Sequence, residues 1–344
     1  MRREALWCGC AGLAALAICA AGLEQAPARA AAGYLAACVF WLGLSLGAMG
    51  LLLVLALVGG CWGGALRPAL RSAAAALWLM PLLFLPLAAG PQPLYPWLQA
   101  DALAHDATLR QQTLYLNQPG LLLRAALCFG VWLWLSRRLR AGTVSRTIAA
   151  SGSLLLLVSV SVFAVDWVMS LQPQFSSSSF GLVLGLSQLL GAAALALLVG
   201  AGRLAPRAAT DFGGLLLALV LAWGYVEFMT YLTVWTADLP TETVWYLPRT
   251  QTSWKWLALA MLLLQTVLPF FLLLSDRFRR GRGLRWLALG ILAGNAVEVS
   301  WRVLPALHPQ GLRYGLYELA ALIGVGGLWL ALFLRRLRPE AGHA

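Results

Sequence analysis

The sequence predicts an all-α polytopic membrane protein, and its composition, its hydropathy pattern and the placement of its arginines all indicate this class. Of the 344 residues, 61% are hydrophobic and only 11% are charged, and the mean hydropathy is +0.78. Apolar runs of about 20 residues, the length that crosses a bilayer as a helix, recur along the whole chain. A soluble domain would have to bury nearly all of them. We therefore predict a single integral membrane domain over 1–344.

Ten apolar runs are long enough to span the membrane. The predicted spans are 6–23, 34–58, 73–89, 121–136, 148–171, 180–201, 213–235, 254–275, 284–304 and 314–334. Pro81 and Pro86 interrupt the third span and should either kink it or leave carbonyls that neighbouring groups satisfy. The first span follows Arg2 and Arg3 and precedes the tripeptide 28–30, so a cleaved signal peptide is an alternative to a retained helix. Its apolar core is long for a signal peptide, and the sequence favours retention.

The arginines set the predicted orientation. Of the 25 basic residues only Lys255 is a lysine, and the arginines gather at the ends of spans. With the N-terminus in the cytoplasm, most of them fall on the cytoplasmic side, as the positive-inside rule expects. Both termini are therefore predicted to be cytoplasmic. Basic loops at 136–147 and 275–284 lie inside in this topology, and longer loops at 91–119 and 236–253 lie outside.

The same residues argue against several other functions. The net charge of +12 reflects topology and gives no sign of nucleic-acid binding, because the arginines lie at span ends. The six cysteines show no spacing typical of zinc, disulfides or haem attachment. The histidines, His105, His308 and His343, are predicted in loops or the tail, where they cannot ligate a haem between spans. We therefore predict that the chain itself binds no haem, iron–sulfur cluster or metal.

Ionisable side chains inside the predicted spans are the candidate functional residues, because a charge in hydrocarbon costs a few kcal/mol. Asp166 lies near the outer end of the fifth span, and Glu227 lies just past the middle of the seventh. Glu298 lies in the outer half of the ninth span. Arg302 follows it by four residues, so the two share a helix face and are predicted to pair.

Glu318 lies one turn into the tenth span, Arg124 lies at similar depth in the fourth, and Tyr231 is a candidate partner of Glu227. We predict that the three acids of the fifth, seventh and ninth spans face a shared interior, which would be a proton path or a quinone pocket. The expected lining and bridging residues are Trp167, Tyr225 and Trp301, with Ser170 and Tyr231 between the acids. The alternative is a structural role, in which each acid is held by its own nearby donor.

The stretch DWVMSLQPQFSSSSFG is the most distinctive in the chain. It resembles a signature close to DWxMSLxPxWxSxxFG, with matches at Asp166, Trp167, Ser170, Leu171 and Pro173. This signature belongs to the ActF-type membrane subunit of alternative complex III, which is part of the wider NrfD-like group.

Further blocks in the same order resemble that family. DATLRQQTLYLNQPGLLLR, which ends at Arg124, is similar to its DxxLxxKxxYLNxPxFxxR segment. AWGYVEFMTYLTVWTADLPTETVWYLPR, which contains Pro240, Glu242 and Arg249, resembles its aromatic span and the loop that follows. PFFLLLSDRFRR and AVEVSWRVLPALHP, with Glu298 at an acidic position, resemble two later blocks. Together the blocks cover roughly two thirds of the chain.

The chain departs from the family pattern at several positions. Gln172 and Gln174 stand where an acid and a histidine are more usual, and Phe175 stands where tryptophan is common. Asp238 and Thr241 replace an asparagine and a glutamate. The loss of ionisable groups makes the outer surface a weaker place for proton release.

The resemblance implies two four-helix bundles with flanking helices, in the bacterial cytoplasmic membrane. It also implies membrane lipid, multihaem cytochrome and iron–sulfur subunits and an ActC-like sister subunit as partners. Quinone or quinol is the implied ligand, although quinol oxidation is assigned mainly to the sister subunit. The expected function is therefore that of a membrane subunit of a quinol-oxidising respiratory complex, not catalytic alone, with scaffolding, quinone binding and proton conduction as open roles. A secondary transporter or channel, with paired broken helices, and a purely structural assembly subunit are the alternatives.

Overall fold

The computed structural model describes residues 2–142, 144–279 and 283–337, and within these ranges the chain forms helices and no strand. Ten helices are long and apolar enough to cross a membrane, which agrees with the predicted number and class. In chain order, the first to the tenth span are Arg3–Gln25, Pro27–Val58, Gly63–Ala89, Gln118–Arg140, Arg146–Leu171, Phe180–Arg203, Pro206–Ala237, Lys255–Leu274, Gly283–Ala306 and Leu316–Arg336. Arg280, Arg282 and Arg338, which contribute to the predicted topology, and His343 lie outside the described residues.

The spans pack as two groups of four with a flanking pair. The second to fifth spans contact one another and form the first group, and the sixth to ninth form the second group. The first and tenth spans pack together, and the tenth also lies against the second. The second span is apolar on all sides and mostly buried, as expected for a central helix. The arrangement agrees with the predicted two bundles and flanking helices.

Small residues allow the two groups to approach closely at the contact between the second and sixth spans. A Cβ atom on Gly47 would overlap the backbone carbonyl of Gln188, and one on Gly43 would press against the Gln188 side chain. Helices in membranes associate through such small residues, because packing and not the hydrophobic effect holds them together. This contact joins the two four-helix groups.

Two spans contain irregular turns. The third span has a 3₁₀ turn at Leu77–Leu79, just before Pro81, and then continues as a helix from Met80–Ala89. The predicted effect of the prolines is thus a tightened turn in a continuous span. In the eighth span a π-helical turn runs over Leu263–Val267 and is followed by Pro269. A π turn is rare and recurs at functional sites.

The connections are more helical than the sequence suggested. The predicted loop 236–253 consists mainly of the helix Pro240–Gln251, and 91–119 contains the short helices Ala100–His105 and Ala107–Gln112. The arginines at 136–147 extend the fourth span to Arg140, which is reasonable because arginine is a good helix former.

The connections predicted outside lie together at one end of the helices. Gln112 Nε2 donates to Pro173 O at 3.1 Å, Trp254 Nε1 donates to His308 O at 2.8 Å, and Leu312 N donates to Ser253 Oγ at 2.7 Å. These bonds link the third connection with the fifth and the seventh with the ninth, and Arg249 Nη1, which donates to Gln172 Oε1 at 2.8 Å, joins the two pairs. Alternating connections therefore meet at one end, as an up-and-down arrangement of spans requires.

Candidate functional site

A buried ion-pair cluster joins the seventh and ninth spans. Arg302 Nη2 lies 2.7 Å from Glu227 Oε2 and 2.9 Å from Glu298 Oε1, and its Nε donates to the same Glu298 oxygen at 3.0 Å. Glu298 is fully buried, Arg302 is nearly so, and Glu227 is partly exposed. The predicted pairing of Glu298 with Arg302 is confirmed, and Glu227 is a further partner. We call these three residues the Arg302 cluster.

Glu298 accepts hydrogen bonds from three more spans. Ser187 Oγ of the sixth span lies 2.5 Å from Oε2, and Gln265 Nε2 of the eighth donates to the same oxygen at 2.9 Å. Trp223 Nε1 of the seventh span donates to Oε1 at 3.2 Å. Asn295 Nδ2 donates to Ser187 Oγ, which leaves the Ser187 proton for Glu298. A buried carboxylate is tolerated only with such partners, so Glu298 fixes the centre of the second four-helix group.

The π-helical turn of the eighth span places polar atoms beside this centre. Gln265 lies on that turn and bonds to Glu298 through its amide nitrogen. Its amide oxygen and the hydroxyl of Thr266, the next residue, are buried without a hydrogen-bond partner in the described part of the chain. Buried polar atoms normally have a partner. Both atoms can therefore bond to a water molecule or to another polar group that enters the cluster.

Arg249, on the helix between the seventh and eighth spans, is completely buried beside the cluster. Its Nε donates to Trp301 O at 3.1 Å and its Nη2 to Arg302 O at 2.8 Å. Its Nη1 donates to Gln172 Oε1 at 2.8 Å and to Trp245 O at 2.5 Å. Trp301 and Arg302 lie in the last turn of the helix Gly283–Val303, whose carbonyls lack intrahelical partners. Arg249 therefore ties its helix to the end of the ninth span.

The charges around Arg302 balance. Arg249 donates only to neutral oxygens in the contacts described above, and the charge of Glu227 acts on it through space. Burial lowers the pKa of Arg249, and the neighbouring charge of Arg302 lowers it further. Two carboxylates and two guanidinium groups thus share one region, and neither sign is in excess. Such compensation is what allows several charges to be buried together.

Asp166 forms a separate ion pair in the first four-helix group. Arg124 Nε lies 2.8 Å from Asp166 Oδ2, and Tyr115 covers the guanidinium, with its ring centroid 4.0 Å away. Burial raises the pKa of Tyr115 to about 12, with a contribution from the charge of Asp166. Ser170 Oγ donates to the Asp166 backbone carbonyl. The prediction that Asp166 shares an interior with the other two acids is therefore wrong, because a closer cation in the first group binds it.

A third ion pair joins the flanking helix to the second span. Arg29 Nε lies 2.8 Å from Glu318 Oε1, and the backbone N–H of Gly315 donates to Glu318 Oε2 at 2.9 Å. Glu318 is buried and begins the tenth span, where its charge also complements the helix dipole. These contacts hold the end of the flanking helix in place.

The predicted lining residues are distributed differently from the expectation. Tyr225 and Tyr231 are largely exposed, and Tyr231 packs edge-on against Tyr246 at 5.3 Å between ring centroids. Neither bridges the acids in the contacts of the described residues. Trp167 packs against Phe84 in the first group, so of the three predicted aromatics only Trp301 lies beside the cluster. The position of these residues along their spans predicted their depth but not the direction in which their side chains point.

Several residues of the site were not expected from the sequence. Arg249 was predicted only as a residue of a family block in a loop, and its position between Trp245 and Trp254 was the available signal for burial. Ser187, Gln265 and Asn295 are single polar residues in apolar runs. Such a residue needs a hydrogen-bond partner within the membrane, so its isolation in an apolar run was the available signal for a buried polar contact.

Blocks that carry the family resemblance meet at two places. Phe175 stacks on Trp245, with ring centroids 4.8 Å apart, and Gln172 bonds to Arg249, so the serine-rich block touches the loop block. Arg249 reaches Trp301 of the ninth-span block. The remaining matched residues surround these contacts: Leu171 is buried, Pro173 accepts from Gln112, and Pro240 and Glu242 lie in the first turn of the connecting helix.

No protein-family model matches the chain, and no curated protein does. The fold and the buried ion pairs define the class of the chain, which is an all-α multi-pass protein with ten helices able to span a membrane in its described residues. They give no family, and the assignment of function rests on the arguments that follow.

Proposed function

We propose that the chain is an integral membrane subunit of a quinol-oxidising respiratory electron-transfer complex, in the position of the ActF-type subunit of alternative complex III. The observation that carries this proposal is the assembly of the resembling blocks. Gln172, Arg249 and Trp301 come from three blocks that are widely separated in the sequence, and they make one buried hydrogen-bonded contact. Gln172 itself departs from the family pattern, so the support lies in the proximity of the three blocks and in the matched residue Arg249.

Within such a complex we propose that the Arg302 cluster is a proton-accepting site and also holds the second four-helix group together. Quinol oxidation releases protons, and acids buried in a membrane are the usual groups that accept them. Glu227 is the partly exposed member and Glu298 the buried one, so Arg302 joins an accessible carboxylate to an inaccessible one. Gln265, which bonds to Glu298 through its amide nitrogen and has an amide oxygen without a partner in the described residues, extends the polar region into the eighth span.

Two experiments test the proposal. Affinity purification of the tagged chain from its native membrane should recover multihaem cytochrome and iron–sulfur subunits and an ActC-like sister subunit. In the recovered complex, Glu227→Gln should lower quinol-dependent turnover and proton release. Glu242→Gln, which removes an acid from the connecting helix outside the cluster, is the matched control. Recovery of the chain without redox subunits would contradict the assignment to a complex. Unchanged turnover and proton release in Glu227→Gln would leave only a scaffold role.

The transporter alternative has less support. That class is built around discontinuous helices in corresponding halves. The irregular turns at Leu77–Leu79 and Leu263–Val267 leave the third and eighth spans continuous. Solute uptake by vesicles that contain the chain alone would nevertheless favour it over the subunit proposal.

A further inference from the structure

A basic pocket opens at the end of the first four-helix group that is predicted to be cytoplasmic. Its volume is about 200 Å³, and it lies between the second span, the third span and the connection that follows the fourth. Arg67 and Arg71, one turn apart on the third span, line one side. Leu52 and Leu55 of the second span and Leu139 of the fourth form an apolar side. We call this amphiphilic cavity the Arg67 pocket.

The arginines of the pocket are not balanced by acids of their own four-helix group. Residues 27–171, which contain this group, hold three acids, namely Asp101, Asp106 and Asp166. The first two lie in the third connection and the last lies near the end of the fifth span, so all three belong to the opposite end. Arg146 adds positive charge beside the pocket, since its Nη2 donates to Leu57 O at 3.4 Å. The uncompensated charge favours an anionic ligand.

Arg67 has guanidinium donors available for such an anion. Its side chain turns back along its own helix, so that Nη2 lies 3.4 Å from the position that a Cβ atom on Gly63 would occupy. The residue is only partly exposed, and it forms no hydrogen bond or ion pair with the described residues. A guanidinium presents a fork of N–H donors that matches the oxygens of a phosphate. The pocket can therefore bind a phosphate group through this side chain.

The third span places the pocket at the level of lipid headgroups. Its 27 residues are about 40 Å long at the helical rise, whereas a hydrocarbon core is about 30 Å thick. Arg67 lies four residues after Gly63, or about 6 Å into the span, which is the boundary between headgroups and hydrocarbon. Leu52 lies six residues before Val58 at the end of the second span, or about 9 Å deep, at the level of acyl chains. A ligand that fits both sides carries a phosphate above and hydrocarbon below.

We propose that the Arg67 pocket binds one anionic phospholipid of the cytoplasmic leaflet, with its phosphate between Arg67 and Arg71 and its upper acyl carbons against the apolar side. The volume exceeds the roughly 150 Å³ that holds a benzene-sized ring, so a phosphate and part of the glycerol can enter together. The arginines repel a headgroup that carries its own cation, such as choline, and this selects anionic over zwitterionic lipid. The lipid that surrounds any membrane protein needs no such pocket. The site goes beyond the proposed function and lies at the opposite end of the helices from the Arg302 cluster.

The test compares dioleoylphosphatidylglycerol with dioleoylphosphatidylcholine. Each lipid is titrated into the purified chain in detergent micelles, and native mass spectrometry counts the lipids bound per chain. One phosphatidylglycerol should bind saturably and about 25-fold more tightly than phosphatidylcholine, since each of two arginines contributes a factor of about five. Arg67→Gln should lower the affinity for phosphatidylglycerol about fivefold and leave that for phosphatidylcholine unchanged. Arg207→Gln is the matched control, because it removes an exposed arginine at the same end of the second four-helix group and should alter neither affinity.

A soluble competitor distinguishes a lipid from a free phosphate. Glycerol 3-phosphate has the headgroup phosphate but no acyl chain, so at equal concentration it should not displace phosphatidylglycerol. Full displacement would identify a site for a soluble phosphate and overturn the lipid assignment. Equal affinity for the two lipids would overturn the proposal. So would an equal loss in Arg67→Gln and Arg207→Gln, which would show diffuse attraction to the whole basic surface.

Unfolding temperature and gel filtration verify the fold of each variant. Arg67→Lys is a milder second variant, which keeps the charge but not the forked donors. It should lower the affinity for phosphatidylglycerol by a smaller factor than Arg67→Gln, and an unchanged affinity would contradict binding of the phosphate by the guanidinium. The assay uses the chain alone, so its result is independent of membership in a redox complex.

Discussion

Replacement of Arg302 by methionine is the most direct test of the buried cluster. The guanidinium bonds to Glu298 and Glu227 at 2.7 to 3.0 Å, and it is the only cation that contacts either carboxylate in the described residues. Its removal leaves two carboxylates facing each other without a cation between them. Removing one partner of a buried ion pair costs about 3–5 kcal/mol, and we expect the upper part of that range because two acids lose their partner.

The companion variants separate charge from packing. Glu298→Gln keeps the size of the side chain and an oxygen acceptor, but its amide group faces the donors of Ser187 and Gln265. We expect this variant to lower the free energy of unfolding by about 1–3 kcal/mol, which is the penalty of a mismatched buried polar group. In the double variant Glu298→Gln with Arg302→Met, Glu227 and Arg249 still balance in charge. The double variant should therefore be more stable than the sum of the two single losses by about 1–3 kcal/mol.

The free energy of unfolding is measured in mixed micelles by denaturant titration with tryptophan fluorescence. Arg313→Met is the matched control, because Arg313 is exposed beyond the ninth span and should shift the unfolding free energy by less than about 0.5 kcal/mol. If Arg302→Met behaved like this control, the cluster would contribute nothing to stability. Strictly additive losses would show that Glu298 and Arg302 are not coupled.

Three further predictions follow from the ends of the spans. Arg249→Lys keeps the charge but loses the forked set of guanidinium N–H donors. It should therefore lower the free energy of unfolding by about 2–3 kcal/mol and make the helix Pro240–Gln251 more sensitive to protease. Burial lowers the pKa of His308 from 6.5, so folding favours its neutral form. The contribution of neutral His308 to the free energy of unfolding should then be fully present above pH 6.5 and should decline as the pH falls below it. The His308→Gln variant should remove this decline in a pH series of unfolding temperatures. Reporter fusions after Arg140 should read cytoplasmic and those after Asp106 external, and the reverse readings would refute the arginine-based orientation.

The number and class of the spans were predictable because they depend on local quantities. A helix that crosses hydrocarbon needs about 20 apolar residues, and the described part of the chain holds ten such helices. The pairing of Glu298 with Arg302 was predictable for a similar reason, since a spacing of four residues places both on one helix face whatever the rest of the chain does. Helix bounds shifted mainly where arginine-rich ends, such as that at Arg140, continued the helix.

Partners across helices were not predictable in the same way. The membrane requires that Asp166 and Glu227 be satisfied, but several cations at similar depth could do so, and only tertiary packing selects among them. Asp166 pairs with Arg124 within the first four-helix group, and Glu227 pairs with Arg302 within the second. A shared membrane depth therefore does not predict that two residues are in contact, because every span passes through each depth and touches only a few of the others.

Arg249 shows how a departure from a family pattern is absorbed by the surrounding structure. Gln172 stands where the resembling family more often has an acid, and here its neutral amide oxygen accepts from Arg249 at 2.8 Å. An acid at that position would add a third carboxylate to a region that already holds two, Glu227 and Glu298, against two guanidinium groups. With glutamine the region is balanced, and the hydrogen bond to Arg249 is kept. A glutamine at this position thus keeps the hydrogen bond to Arg249 without adding a further titrating group at this end of the spans. Within this chain, Glu227 remains as the partly exposed carboxylate of the Arg302 cluster.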